Sequence, residues 1–124
     1  MNSEGLDLPS GVMRGAIAVP GSKSGTNRLL VLALFARQPV RLLGALRSAD
    51  TAAMTRALEQ LGCGVAEDGE ALVLTPGPPP PWATIDCGAS GTMLRFLTAV
   101  LCTIPGAWRL DGVPRLRQRP VGPL

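Results

Sequence analysis

The chain has 124 residues, 46% of them hydrophobic and 17% charged, with a net charge of +3. That balance fits one domain, or part of one, with a modest core, and it excludes disorder; no apolar run reaches the roughly 18 residues a bilayer span requires, so no membrane partner is expected. Histidine is absent and the three cysteines, Cys63, Cys87 and Cys102, lack C-x-x-C spacing, which disfavours metal ligation, a disulfide scaffold and any Ser-His or Cys-His nucleophile.

The first eleven residues lack the basic start and apolar stretch of a secretory signal and read as a loose leader, so the cytoplasm is the expected compartment. An alternating run predicts a strand over 12–19. A helix follows over about 26–37, its apolar stripe formed by Leu29, Leu32, Ala33 and Ala36. A strand over 40–43 leads to a second helix, from Ser48 or Asp50 to Leu61, with Met54, Ala57, Leu58 and Leu61 on one face and Gly62 as its stop. Strands over 64–67 and 71–75 come next. Gly77 and the four prolines after it form a stiff spacer before a strand over 84–87. A third, deeply buried helix over 90–101 carries Met93, Phe96, Leu97 and Val100 in the same helical stripe, and a strand over 108–111 closes the series. Pro120 suggests one more helix starting near Val121. This alternation predicts an α/β or α+β layered domain, with a repeated polar turn, helix and strand as its unit.

Three polar turns carry the chemistry. In the first, Pro20-Gly21-Ser22-Lys23-Ser24-Gly25-Thr26-Asn27-Arg28, two cations and several hydroxyls stand before an apolar helix. Unpaired N–H groups and the positive end of the helix dipole would face an anion above Lys23 and Ser24, and Ser24 and Arg28, four apart, share a face. The bland reading is a Ser24 cap flanked by solvated charges. In the second, Asp86-Cys87-Gly88-Ala89-Ser90-Gly91-Thr92, two glycines permit close backbone approach at another helix start, although an ordinary capped turn has the same composition. Arg95, one turn in, faces ligand or solvent. Cys87 and Cys102 are expected to be small buried hydrophobes. In the third, extended geometry over 114–120 would align Arg115, Arg117 and Arg119 as a polyanion contact, or as a solvated surface with no acidic partner nearby. Only 3% of residues are aromatic and the basic residues are scattered, which argues against nucleic acid as a partner.

Taken together, these turns resemble the EPSP synthase family of enolpyruvyl transferases. The matching residues are the stretch from Pro20 to Arg28, Ser48-Ala49-Asp50-Thr51 with Met54, the stretch from Asp86 to Thr92 with Arg95, Asp111-Gly112, and Arg117-Gln118-Arg119-Pro120. The likeness covers nearly the whole chain but only the N-terminal part of a longer two-domain enzyme. The fold it implies is built of βαβαββ-type units, incomplete here. Residues 1–20 would be a leader and a first strand belonging to the opposite domain, and 21–124 a partial N-terminal domain.

The resemblance implies transfer of the enolpyruvyl group from phosphoenolpyruvate to the 5-hydroxyl of shikimate 3-phosphate. A tetrahedral adduct forms, phosphate leaves, and neither metal nor organic cofactor takes part. Lys23 is the implied catalytic residue and touches both substrates; Ser24 and Arg28 would grip the shikimate carboxylate. Gly91 and Thr92 would offer backbone to the phosphate of phosphoenolpyruvate, which Arg119 would neutralise. The full-length protein would be a monomer, with its acid and base residues and its shikimate-phosphate ligands beyond Leu124, so the chain alone should be inactive. Three residues depart from the common pattern: Ala89 where many members carry Asn, Ala49 beside Asp50 in place of an acid, and Phe96 where Pro is frequent. Two alternatives are a nucleotide-sugar enolpyruvyl transferase, whose first motif lacks this pattern, and a non-catalytic basic module for phosphate-rich partners.

Overall fold

The structure, a computed structural model, describes residues 10–12 and 14–122. Its elements run α1 (Lys23–Ala33), β1 (Val40–Leu42), α2 (Ala49–Gln60), β2 (Gly64–Asp68), β3 (Ala71–Thr75), β4 (Trp82–Asp86), α3 (Gly91–Leu101), β5 (Ala107–Asp111) and α4 (Pro114–Arg117). β3 lies between β1 and β2 in an antiparallel sheet, with Leu74 opposite both Val40 and Val65. β4 and β5 pair in parallel, and α3 is the crossover such a pair requires. The layered α/β architecture expected from the alternation is present.

Each long helix is started by a serine. Ser22 Oγ accepts from the Gly25 amide at 3.1 Å, Ser48 forms a reciprocal capping box with Thr51, and Ser90 Oγ accepts from the Met93 amide at 3.3 Å. Removing the middle cap by Ser48→Ala should cost about 1 kcal/mol, read as a lower urea midpoint at unchanged slope, with Ser48→Asp retaining most of it.

The core gathers Leu30 from α1, Met54, Leu58 and Leu61 from α2 and its end, Leu74 and Ile85 from the strands, and Met93 and Leu97 from α3, all at most 1% exposed. The α2 stripe is the expected one. The α1 stripe is not: Leu29 and Leu32 are 50% and 62% exposed, and the inward face is Thr26, Asn27, Leu30, Val31 and Ala33. The reason is that Leu29, Leu30, Val31 and Leu32 are consecutive, so apolar residues point in every direction and packing alone selects the face. Phe35, 53% exposed, extends the same outward apolar surface.

Other expectations are corrected. Residues 12 and 14–19 form no strand and Ile17 and Val19 are 87% and 78% exposed, because no neighbouring strand among the described residues pairs with them. The leader over 1–9 lies outside the described residues. Cys102 is exposed, since it caps α3 one position past Leu101 and turns away from the core. No helix begins between Pro120 and Gly122; residues 123–124 lie outside the described residues. Among the described residues, no helix is long and apolar enough to cross a membrane, and no group of three or more His, Cys, Asp or Glu could hold a metal ion.

Candidate anion-binding active site

Two threonines set the first half of the site. Thr26 Oγ1 accepts from the Leu46 amide at 3.0 Å and Thr51 Oγ1 donates to the Leu46 carbonyl at 2.7 Å, so one residue of the β1–α2 loop is held by both helices. Both threonines are buried. This clamp draws the α1 and α2 N-termini together and places Lys23 Nζ 3.2 Å from Asp50 Oδ2. The pair is largely exposed, and such pairs contribute only about 0–1 kcal/mol, so an anionic ligand can compete with Asp50 for the ammonium.

α1 begins three residues earlier than its periodicity suggests, because Ser22 is the cap. Lys23 and Ser24 therefore occupy the first turn, where N–H groups lack helical partners, and Ser24 is exposed. The capping role expected of Ser24 on the bland reading belongs to Ser22. One turn on, the Arg28 guanidinium stands over the Phe96 ring, 5.8 Å from its centroid, and so joins the first motif to α3. Asn27 is 1% exposed, and its side-chain oxygen has no hydrogen-bond partner among the described residues.

The second half forms at the start of α3. Gly91 is the first residue of the helix, and a Cβ there would collide with the Arg119 guanidinium, so the arginine lies directly on the glycine backbone. Thr92 and Arg95 are exposed on the first turns. A side-chain cation is thus added to the unpaired N–H groups and positive dipole end of one helix, a combination suited to a phosphate. A cleft of about 380 Å³ borders Arg119, between Leu94, Thr98, Leu110 and Val121.

The third turn departs from expectation. Pro114 starts the short helix α4 and buried Leu116 anchors it, so Arg115, Arg117 and Arg119 do not form an extended stripe. Nor does Arg117 lack an acidic partner. Its Nε and Nη2 donate to the two oxygens of Asp111 at 2.7 and 3.0 Å. That hydrogen bond, then the Gly112 amide, holds the Asp111 carboxyl below its ordinary value. With the stripe gone, the basic-module alternative loses its main support.

The two buried cysteines, Cys63 and Cys87, are poor nucleophiles. Burial, reinforced by the carboxylates of Asp86 and Asp111, pushes the Cys87 thiol up to about 11, and burial also raises Cys63. The structure therefore brings Gly91 and Arg119 together, with Thr92 alongside, and sets Lys23, Ser24 and Arg28 along one helix start, with Arg28 reaching Phe96 on α3. Sequence reasoning missed the Lys23–Asp50 and Asp111–Arg117 pairs; their separations of 27 and 6 residues match no local periodicity.

Comparison with known proteins bears on the family and the fold. The family model described as EPSP synthase (3-phosphoshikimate 1-carboxyvinyltransferase) matches residues 9–124. The chain is 44% identical over 123 residues to the 3-phosphoshikimate 1-carboxyvinyltransferase of Bordetella pertussis and 46% to that of Bordetella petrii, covering 96% of this chain and 28% of each relative. That of Anaeromyxobacter sp. strain Fw109-5 is 44% identical over 113 residues, covering 90% of this chain and 26% of the relative. The chain thus spans about 28% of the length of the Bordetella relatives. EPSP synthase from Acinetobacter baumannii superposes with a TM-score of 0.71 at 23% identity, over 86% of this chain and 25% of that one, which supports the fold. By the extent of the family match and the sequence likeness, the chain belongs to the EPSP synthase family.

Proposed function

We propose that this chain is the N-terminal part of a carboxyvinyltransferase that joins the enolpyruvyl group of phosphoenolpyruvate to the 5-hydroxyl of shikimate 3-phosphate. The observation that carries the reading is the Arg119 guanidinium lying against Gly91 at the open start of α3, a preformed phosphate seat. In the reaction the hydroxyl gives up its proton as its oxygen bonds to C2 of phosphoenolpyruvate, while C3 takes a proton. Phosphate then leaves with its bridging oxygen, and loss of a proton from the new methyl restores the enol ether.

Arg119 with the Gly91–Thr92 turn holds the phosphate and steadies it as it departs. Lys23, released from Asp50 by its ligands, stands at the reacting centre between both substrates. Ser24 and Arg28 bind the shikimate carboxylate, Arg28 through its two-pronged guanidinium. Proton transfer and enclosure fall to residues outside this segment, so the 124-residue chain by itself turns over no substrate. The exposed Val12, Ile17 and Val19 are read as belonging to a segment that gains a strand partner only in the opposite domain of the complete polypeptide. As the family resemblance implies, the complete protein acts as a monomer in the cytoplasm.

The test is phosphate release by the complete polypeptide given phosphoenolpyruvate and shikimate 3-phosphate together and each alone. Release that requires both, with a carboxyvinyl ether seen by proton NMR, supports the reading. Release from phosphoenolpyruvate alone, or none with the pair, overturns it.

A further inference from the structure

We propose that Asp111 and Arg117 are positioning residues for Arg119, setting the angle at which its guanidinium meets Gly91. The inference rests on the transferase reading for its kinetic consequence, while its geometric content stands separately. β5 ends at Asp111, and the chain then turns through Gly112 and Val113 into α4. Three anchors hold this short helix. The Val113 amide donates to the Gly88 carbonyl at 3.0 Å, in the loop just before α3. Leu116 is 3% exposed, and a Cβ at Gly112 would strike both the Gly88 carbonyl and Leu116, so the turn is packed without space to spare.

Those two anchors fix where α4 sits but leave it able to roll about its axis. The third anchor is the two-point contact from the Arg117 guanidinium to the Asp111 carboxylate, at 2.7 and 3.0 Å. A fork held at both prongs defines a plane, and that stops the roll. The carboxylate is itself oriented by the Gly112 amide, which donates to Oδ1 at 2.7 Å, with Arg109 Nη2 3.8 Å from Oδ2. Arg117 is the last residue of α4, and only Gln118 separates it from Arg119, whose amide bonds to the Leu116 carbonyl at 3.1 Å. A roll of α4 therefore transfers directly to Arg119 and lifts it from the glycine.

The experiment uses the complete polypeptide and the variants Asp111→Ala, Arg117→Lys and the exchanged pair Asp111→Arg with Arg117→Asp. Two quantities are read: the KM for each substrate, and the NMR signals of the Arg119 Nε–H and the Gly91 amide without ligand. Displacing a phosphate-holding group should raise KM for phosphoenolpyruvate about tenfold in Asp111→Ala and Arg117→Lys, with KM for shikimate 3-phosphate within about twofold. Both NMR signals should move in these variants and return toward their original positions in the exchanged pair. Equal increases in both KM values, or none, would overturn the inference, as would unmoved NMR signals in Asp111→Ala. An unmutated protein without transferase activity would refute the functional reading instead, and the NMR signals alone would then decide the positioning.

Discussion

A Gly91→Ala variant of the complete enzyme is expected to raise KM for phosphoenolpyruvate about 10- to 100-fold while leaving KM for shikimate 3-phosphate within about twofold. The added methyl occupies the space of the Arg119 guanidinium, so the arginine must withdraw from the helix start it charges. The helix should survive, because alanine is the stronger helix former and Gly91 is not among the residues with positive φ. The effect is thus displacement of a cation, without unfolding. Thr92→Ala is the control: its side chain is exposed at the same turn, and it should change both KM values much less. Initial-rate kinetics with each substrate varied in turn decide the matter. A Gly91→Ala enzyme with unaltered KM for phosphoenolpyruvate would remove the Arg119–Gly91 contact from substrate binding.

The largest stability effect is expected at Leu58. Fully buried on α2 within the core, it should cost about 2–5 kcal/mol when cut to alanine, because the transfer free energy of the lost atoms adds to that of the cavity left behind. Leu32→Ala, at a position 62% exposed, should shift stability by no more than about 0.5 kcal/mol. Urea unfolding of both variants, followed by circular dichroism, tests the pair. Equal losses would mean that α1 buries the other face.

That contrast marks where the sequence is readable. On α2 the apolar residues Met54, Ala57, Leu58 and Leu61 fall at helical spacing among polar neighbours, so periodicity alone identifies the buried face. On α1 the four consecutive apolar residues erase the contrast. The strands around Gly69 were evident as alternating or β-branched runs, but the order β1-β3-β2 depends on pairings that no local pattern encodes. The helix starts behind Lys23 and Gly91 were legible as polar turns because serine caps and glycine have definite local roles. The approach of Arg119 to Gly91 was not legible in any local pattern; only the family resemblance implied it, by setting both at one phosphate. It depends on α4, whose existence follows from Pro114 and from the burial of Leu116, and burial is a property of the assembled fold. The same holds for Asp50, brought to Lys23 only by the shared hold of Thr26 and Thr51 on Leu46.

The outward side of α1 has a consequence for handling this polypeptide. Leu29, Leu32 and Phe35 face solvent, and a shallow groove of about 310 Å³ that includes Leu32, together with Arg28, Phe96 and Val100, is lined mainly by hydrocarbon. A net charge of +3 gives little mutual repulsion between copies, and added salt screens what there is. Colloidal behaviour is therefore expected to follow this greasy strip: the chain should leave solution early in ammonium sulfate, be retained by hydrophobic resins, and light up an apolar-seeking fluorescent dye when folded as well as when melted.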